Sequence, residues 1–257
     1  METKKAHILI TGANRGIGKA VAKRLAEDGA HLYLAVRQND PELVEEMRQA
    51  GAGAVEILEC DLSTREGVDA LVQKLGDTRI DILFNNAGVL TGGLLEDQPL
   101  DDIYDVFQVN VAALVQLTQA LLPRMLKRKK GLIINNSSIS GIMYLPGAST
   151  YAASKAAVIA FTHCLKQELR NTGVQTLLLI TPGVKTRMFD RISDLYGQNY
   201  KVPKGTITPE KYAEMIHEAI VEDLEELSPS GLTGAAMHVA RHLPSLVERA
   251  VRFRFKR

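Results

Sequence analysis

The chain has 257 residues, 46% of them hydrophobic and 24% charged. This is the balance of an ordinary globular protein with a single core, and it excludes a disordered chain or a disulfide-stapled miniprotein. The 31 basic and 30 acidic residues give a formal net charge of +1, so no overall field recruits nucleic acid.

The two cysteines, Cys60 and Cys164, have no second Cys at metal-ligand spacing and point to a reducing, cytoplasmic setting. No charged-apolar-small leader precedes the first apolar stretch, and no run reaches the ~18 uninterrupted apolar residues of a membrane span.

In chain order, residues 7–11 read as a strand and 17–28 as a helix, with Gly29 suited to its C-terminal end. A second strand covers 30–36. Asp40 and Pro41 open a helix over 41–50 as N-cap and first residue. A strand at 55–60, a helix at 63–75 and a strand at 80–85 follow. A long helix then runs over 100–127, a fifth strand over 132–137, a helix over 151–170 and a sixth strand over 174–181.

This alternation with short connections specifies βαβ units: an α/β single-domain Rossmann fold with a doubly wound parallel sheet, strand order 3-2-1-4-5-6, and helices on both faces. Near-continuous apolar strands fit burial from both sides. Residues 1–240 form this domain, with 185–208 as a loop-rich lid, and 241–257 form a tail.

The first strand leads into Thr11, Gly12, Ala13, Asn14, Arg15, Gly16, Ile17 and Gly18. Glycines let backbone N–H groups approach a pyrophosphate, and the helix that follows adds its positive end. The second strand ends without the carboxylate that would accept from a ribose 2′-hydroxyl. Instead, Arg37 there and Arg15 in the turn suit a 2′-phosphate and favour NADP(H).

Further motifs follow in order. They are Asp61 and Leu62 after the third strand; Asn85, Asn86, Ala87 and Gly88; Asn110; and Asn136, Ser137, Ser138, Ile139, Ser140 and Gly141. The last two are Tyr151, Ala152, Ala153, Ser154 and Lys155, then Pro182, Gly183 and Val184 with Thr186. On these motifs the chain resembles the short-chain dehydrogenase/reductase family over nearly its whole length.

The resemblance implies hydride transfer between nicotinamide and a carbon bearing oxygen. Tyr151 would be the proton donor or acceptor, Ser138 would orient the substrate oxygen, Lys155 would lower the Tyr pKa and hold the nicotinamide ribose, and Asn110 would carry a proton relay. It also implies that Asp61 and Leu62 meet the adenine and that Asn86, Ala87 and Gly88 line the adenosine and ribose. Pro182, Gly183, Val184 and Thr186 would hold the carboxamide, completing the set begun by Gly12, Asn14, Arg15, Gly16, Ile17, Gly18 and Arg37.

The residue types support this chemistry directly. Tyr151 and Lys155 are four apart and share a helical face. An ammonium beside a phenol lowers its pKa toward the working range, where it serves as general acid or base. Ser138 closes a strand whose carboxyl end borders the ligand crevice.

The chain lacks the Asp-Gly-Gly ending and seventh strand of many short-chain reductases. In this respect it is similar to hydroxysteroid and retinol dehydrogenase-like members. That weakens, without removing, a 3-oxoacyl thioester reductase reading and the tetramer contact made by the missing strand. A homodimer through the helices at 100–127 and 151–170 is expected. A non-catalytic NADP(H)-sensing regulator is the alternative of a different class.

The tail carries Arg241, Arg249, Arg252, Arg254, Lys256 and Arg257 against Glu248. It could meet an anionic membrane surface, a partner or its own chain. Glu210, Glu214, Glu218 and Glu222 form a like-charged row that a nearby basic segment would relieve. Met143, Tyr144, Met188, Phe189, Leu195, Tyr196 and Tyr200 suggest a lipophilic carbonyl or alcohol substrate.

Overall fold

The structure, a computed structural model, describes residues 1–196, 206–243 and Ser245. The first half alternates β1 (His7–Thr11), α1 (Gly16–Ala26), β2 (His31–Val36), α2 (Pro41–Gln49), β3 (Ala54–Glu59), α3 (Arg65–Leu75) and β4 (Ile82–Asn85). Then come α4 (Leu100–Phe107), a π-turn (Gln108–Ala112), α5 (Ala113–Arg128), β5 (Gly131–Ser138), α6 (Ser149–Glu168) and β6 (Val174–Thr181). The chain continues through α7 (Arg187–Tyr196), α8 (Pro209–Val221), β7 (Glu226–Leu227) and α9 (Gly231–His242).

Several helix starts follow from their capping residues. Asp40 accepts from the Leu43 N–H, Thr64 from Gly67 and Thr208 from Lys211, each satisfying a first-turn donor that the helix itself cannot.

Among the described residues the sheet is parallel, in the order β3-β2-β1-β4-β5-β6-β7. The doubly wound order is therefore as expected over its first six strands, and the seventh is a correction. Glu226–Leu227 pairs in parallel with Leu178 and Leu179, a two-residue strand too short to give a periodic signal. One core packs α1 and α8 against the sheet through Val21, Leu25, Ile216 and Ile220. The other packs α3, α5 and α6 through Leu71, Leu117, Leu121 and Leu165.

The single helix expected over 100–127 is interrupted by the π-turn, with Asn110 buried within it. Leu100, Tyr104 and Phe107 on α4 are exposed, whereas Leu114, Leu121 and Met125 on α5 are buried. By length and hydropathy alone Leu100–Arg128 is apolar enough to cross a membrane; here α5 packs on α3 and β5.

The segment expected as a loop-rich lid begins with α7 and is pinned at its base. Lys185 N–H donates to the Ile207 carbonyl at 2.9 Å and Ile207 N–H to that of Gly183 at 3.0 Å. Tyr200 and residues 246–257 lie outside the described residues. Against the acidic row of α8 stands Arg24 of α1, 2.8 Å from Glu214, while Arg241 approaches Glu226 at 3.5 Å.

Candidate functional site

The carboxyl ends of the adjacent parallel strands β1, β4, β5 and β6 lie along one edge of the sheet, where doubly wound folds form their ligand crevice. At its near end, Gly12 (φ +66°) and Gly16 (φ +56°) hold conformations that favour glycine. Arg15, extended at φ −161°, stands at the N-cap of α1 without a side-chain cap. The first-turn N–H groups of α1 thus receive no acceptor from the side chain at that position. A Cβ on Gly18 would lie 2.4 Å from the Gly12 carbonyl oxygen, so only glycine lets α1 close on the turn. Ile17 packs on the core, and Asn14 and Arg15 are exposed.

Arg37 is exposed just past β2. Asp61 has its carboxyl held below the usual range by the Ser63 N–H at 2.9 Å and the Ser63 hydroxyl, and more weakly by the Arg37 charge. Arg37 and Asp61 thus share one edge of the crevice. Leu62 is buried beside them.

In the middle, Asn86 Nδ2 donates to the Thr11 carbonyl at 2.9 Å and the Gly12 carbonyl at 3.3 Å. The N–H groups of Asn86 and Ala87 donate to Thr11 Oγ1. A Cβ on Gly88 would meet Asn110 Oδ1 at 3.2 Å and Lys155 Nζ at 3.6 Å.

Ser138, Tyr151 and Lys155 meet at the far end. Ser138 ends β5, accepts from the Ser140 N–H at 3.1 Å and hydrogen-bonds Tyr151. Tyr151 lies in the first turn of α6, its ring 5.8 Å (centroid) from Lys155 Nζ. Lys155 donates to the Asn136 carbonyl at 2.9 Å, and its own carbonyl accepts from Ser137 Oγ at 2.8 Å.

Burial shifts both the Tyr151 phenol and the Lys155 ammonium. Burial pushes the phenol up to about 12, with the Ser138 hydrogen bond opposing it, and pushes the Lys155 ammonium down to about 8. Desolvation disfavours the charged form of each.

Asn110 accepts from the Val89 N–H at 2.8 Å and donates to the Val89 carbonyl and Ser154 Oγ, both at 3.0 Å. Ser154 in turn donates to the Tyr151 carbonyl at 2.7 Å. The π-turn thus fastens the segment after β4 to the helix carrying Tyr151 and Lys155. Such turns recur at functional sites.

Pro182, Gly183 and Val184 follow β6, and Val184 is buried, bridged to Ile207. Thr186 Oγ1 accepts from the Phe189 N–H, and the Thr186 methyl would meet a Cβ on Gly16 at 3.2 Å. This closes the crevice from the chemical end back to the glycine turn. Leu90 and Ala148 form a small apolar cluster against which Tyr151, Leu145, Met188 and Leu195 pack.

Sequence reasoning carries Ser154 only as a member of the Tyr151–Lys155 motif and gives no role to Thr181 or Tyr212, which support the site from behind.

The family model described as short chain dehydrogenase matches residues 6–196. An uncharacterised oxidoreductase of Staphylococcus saprophyticus is 34% identical over 224 residues, covering 85% of this chain and 91% of that protein. A fatty acyl-CoA reductase of Acinetobacter baylyi is 37% identical over 222 residues, 83% of this chain and 72% of the relative. A short-chain dehydrogenase from Sphingobium yanoikuyae, solved in complex with NADPH, superposes with a TM-score of 0.80 at 26% identity, covering 98% of this chain and 97% of its own.

Proposed function

Because this chain belongs to the short-chain dehydrogenase family, we propose that it is an NADP(H)-dependent oxidoreductase interconverting a carbonyl and an alcohol on a lipophilic substrate. The observation that carries this reading is the meeting of Ser138, Tyr151 and Lys155 beside the apolar cluster of Leu90 and Ala148, on the sheet edge that also carries an uncapped helix N-terminus.

The residues fit the cofactor. The glycine turn leaves no room for a Cβ at Gly18 and frees backbone donors for a diphosphate, and Arg15 and Arg37 suit a 2′-phosphate. When bound, the nicotinamide supplies or accepts the hydride.

The chain supplies position and a proton. Tyr151, neutral at working pH because of its burial, donates its phenolic proton to the carbonyl oxygen, and Ser138 hydrogen-bonds that oxygen. Lys155, held by the Asn136 carbonyl, would hold the cofactor ribose and would stabilise negative charge on Tyr151 as the proton leaves. Asn110 keeps α6 in register with the segment after β4.

The apolar cluster beside Tyr151 and the name of the Acinetobacter baylyi relative both support a lipophilic substrate. That relative's name also favours a second reading, an acyl thioester as the carbonyl compound. Exposed Leu100, Tyr104 and Phe107 support a homodimer through this helix. Free Cys60 and Cys164 are in keeping with a reducing, cytoplasmic setting.

The test follows nicotinamide absorbance with NADPH and NADH against ketosteroid, retinal, long-chain aldehyde and acyl-thioester substrates. Turnover of at least one substrate that Tyr151→Phe abolishes is expected. Turnover unaffected by that change would overturn the assignment of roles, and retention of the cellular role by Tyr151→Phe would favour a cofactor-sensing regulator.

A further inference from the structure

A buried hydrogen-bond chain joins α8 to the site from the side away from substrate, and its direction can be worked out. The carbonyls of Thr11 and Gly12 can only accept, so Asn86 must present Nδ2 to them, at 2.9 and 3.3 Å. Its Oδ1 therefore faces Asn136 and accepts from Asn136 Nδ2 at 3.1 Å. That leaves Asn136 Oδ1 to accept from the Thr181 hydroxyl. Thr181 has one proton and has given it, so the bond at 2.9 Å between Thr181 Oγ1 and the Tyr212 hydroxyl must be donated by Tyr212.

The chain thus runs one way: Tyr212 to Thr181 to Asn136 to Asn86 to the glycine turn. A branch enters from Lys155, whose Nζ donates to the backbone carbonyl of Asn136 at 2.9 Å. Thr181 and Asn136 are each 8% exposed, Lys155 5% and Tyr212 1%, so losing a member strands its buried neighbour. Burial also holds the Tyr212 phenol far above its ordinary pKa, which keeps it a donor.

Asn136 is the node. Its side chain is fixed from both ends, and its carbonyl is the acceptor that holds the Lys155 ammonium. Tyr212 sits in the first turn of α8, just after the Val184–Ile207 bridge, and Thr181 ends β6 just before it. The end of β6 and the start of α8 are therefore fastened to each other at that bond.

We propose that Tyr212 and Thr181 are positioning residues, which orient Asn136 and through it set both the Lys155 ammonium and the glycine turn. The function of this arrangement rests on the reading of Lys155 as a cofactor-site residue. The geometry can be tested apart from turnover.

The experiment follows the Lys155 side-chain resonance of cofactor-free protein by lysine-labelled NMR across alkaline pH, with Lys155→Met identifying the signal. The Asn136 carbonyl favours the charged ammonium, so loosening it lowers the pKa. Thr181→Val is expected to lower the Lys155 pKa by about half a unit or more and Tyr212→Phe by less, while Thr181→Ser matches the parent. With an active substrate, Thr181→Val should reduce kcat roughly three- to tenfold, with the alkaline limb moved the same way and Thr181→Ser again restoring the parent value.

A melting temperature lowered in Tyr212→Phe and Thr181→Val, with an unchanged Lys155 titration, would overturn the proposal and leave a packing role alone. A parent protein that turns over no carbonyl substrate while the Lys155 titration shifts would overturn the proposed function and keep the positioning role.

Discussion

Substituting Gly18 by alanine perturbs the cofactor turn through space alone. Gly18 is not among the positive-φ residues, so alanine brings no backbone strain, only volume. The new Cβ would lie 2.4 Å from the Gly12 carbonyl oxygen and 2.5 Å from Asn86 Nδ2, where ordinary contact begins at 3.4 Å. One obstacle is backbone, and the other is an amide already donating to Thr11 and Gly12, so neither swings aside freely. Relief requires α1 to withdraw from the turn by about 1 Å, against the packing of Val21 and Leu25 on the core. Overpacking on that scale costs about 2–3 kcal/mol, or about 5–10 °C in Tm for a chain of this size. Because the retreat moves the first-turn N–H groups, NADPH Kd should rise about tenfold or more. Thermal unfolding and NADPH fluorescence titration read the two effects. Parent values in both would refute the claim that α1 closes on the turn only because residue 18 lacks a side chain.

Three further predictions concern charge and burial. Lys155 has its pKa lowered from 10.5 to about 8 by burial, so the folded protein carries a buried charge below pH 8 that the unfolded chain holds in water. Lys155→Met should therefore abolish turnover yet stabilise the fold at neutral pH, on the order of 2 kcal/mol after the lost bond to Asn136. That gain should fade between pH 8 and 10.5, where the folded form sheds its proton first, and denaturant titrations at several pH values would detect it. Arg37→Asp should move the NADPH-to-NADH ratio of kcat/KM toward NADH by roughly tenfold or more, measured by nicotinamide absorbance. Asn110→Leu should cost about 2–4 kcal/mol by stranding Val89 and Ser154, and faster hydrogen exchange at the Val89 amide would register it.

How far the sequence carried this reading depended on the kind of interaction. The β1 turn was legible because glycine, helix start and strand end are local features, and Gly12, Gly16 and Gly18 hold the geometry their spacing implies. Tyr151 and Lys155 were legible because a four-residue separation fixes a common helical face. Their acidities were not, since desolvation depends on everything packed around them. Tyr212 was hidden for a related reason: the pattern of α8 marks it as inward-facing, but its hydroxyl finds Thr181 only once β6 and α8 are brought together. The seventh strand escaped notice because two residues, Glu226 and Leu227, join the sheet through backbone bonds that leave no mark on side-chain choice. The cation against Glu214 came from α1, in Arg24, because the packing of α1 on α8 is a tertiary fact.

The interruption at Gln108–Ala112 also decides how one sequence stripe is divided. Leu100, Tyr104, Phe107, Leu114, Thr118, Leu121 and Met125 are spaced so that a straight α-helix would align them on a single side. Yet the first three meet solvent and the last four are buried. A turn closed by i→i+5 bonds accommodates an additional residue, so the helix loses phase by roughly 100° in passing through it. The same apolar repeat can then serve two surfaces in succession, an outward one before the turn and the sheet after it. Asn110 sits where the handover occurs, and its side chain is thereby aimed at the Val89 backbone rather than along either stripe. Helical phase, rather than composition, determines which half of this segment remains available to another molecule.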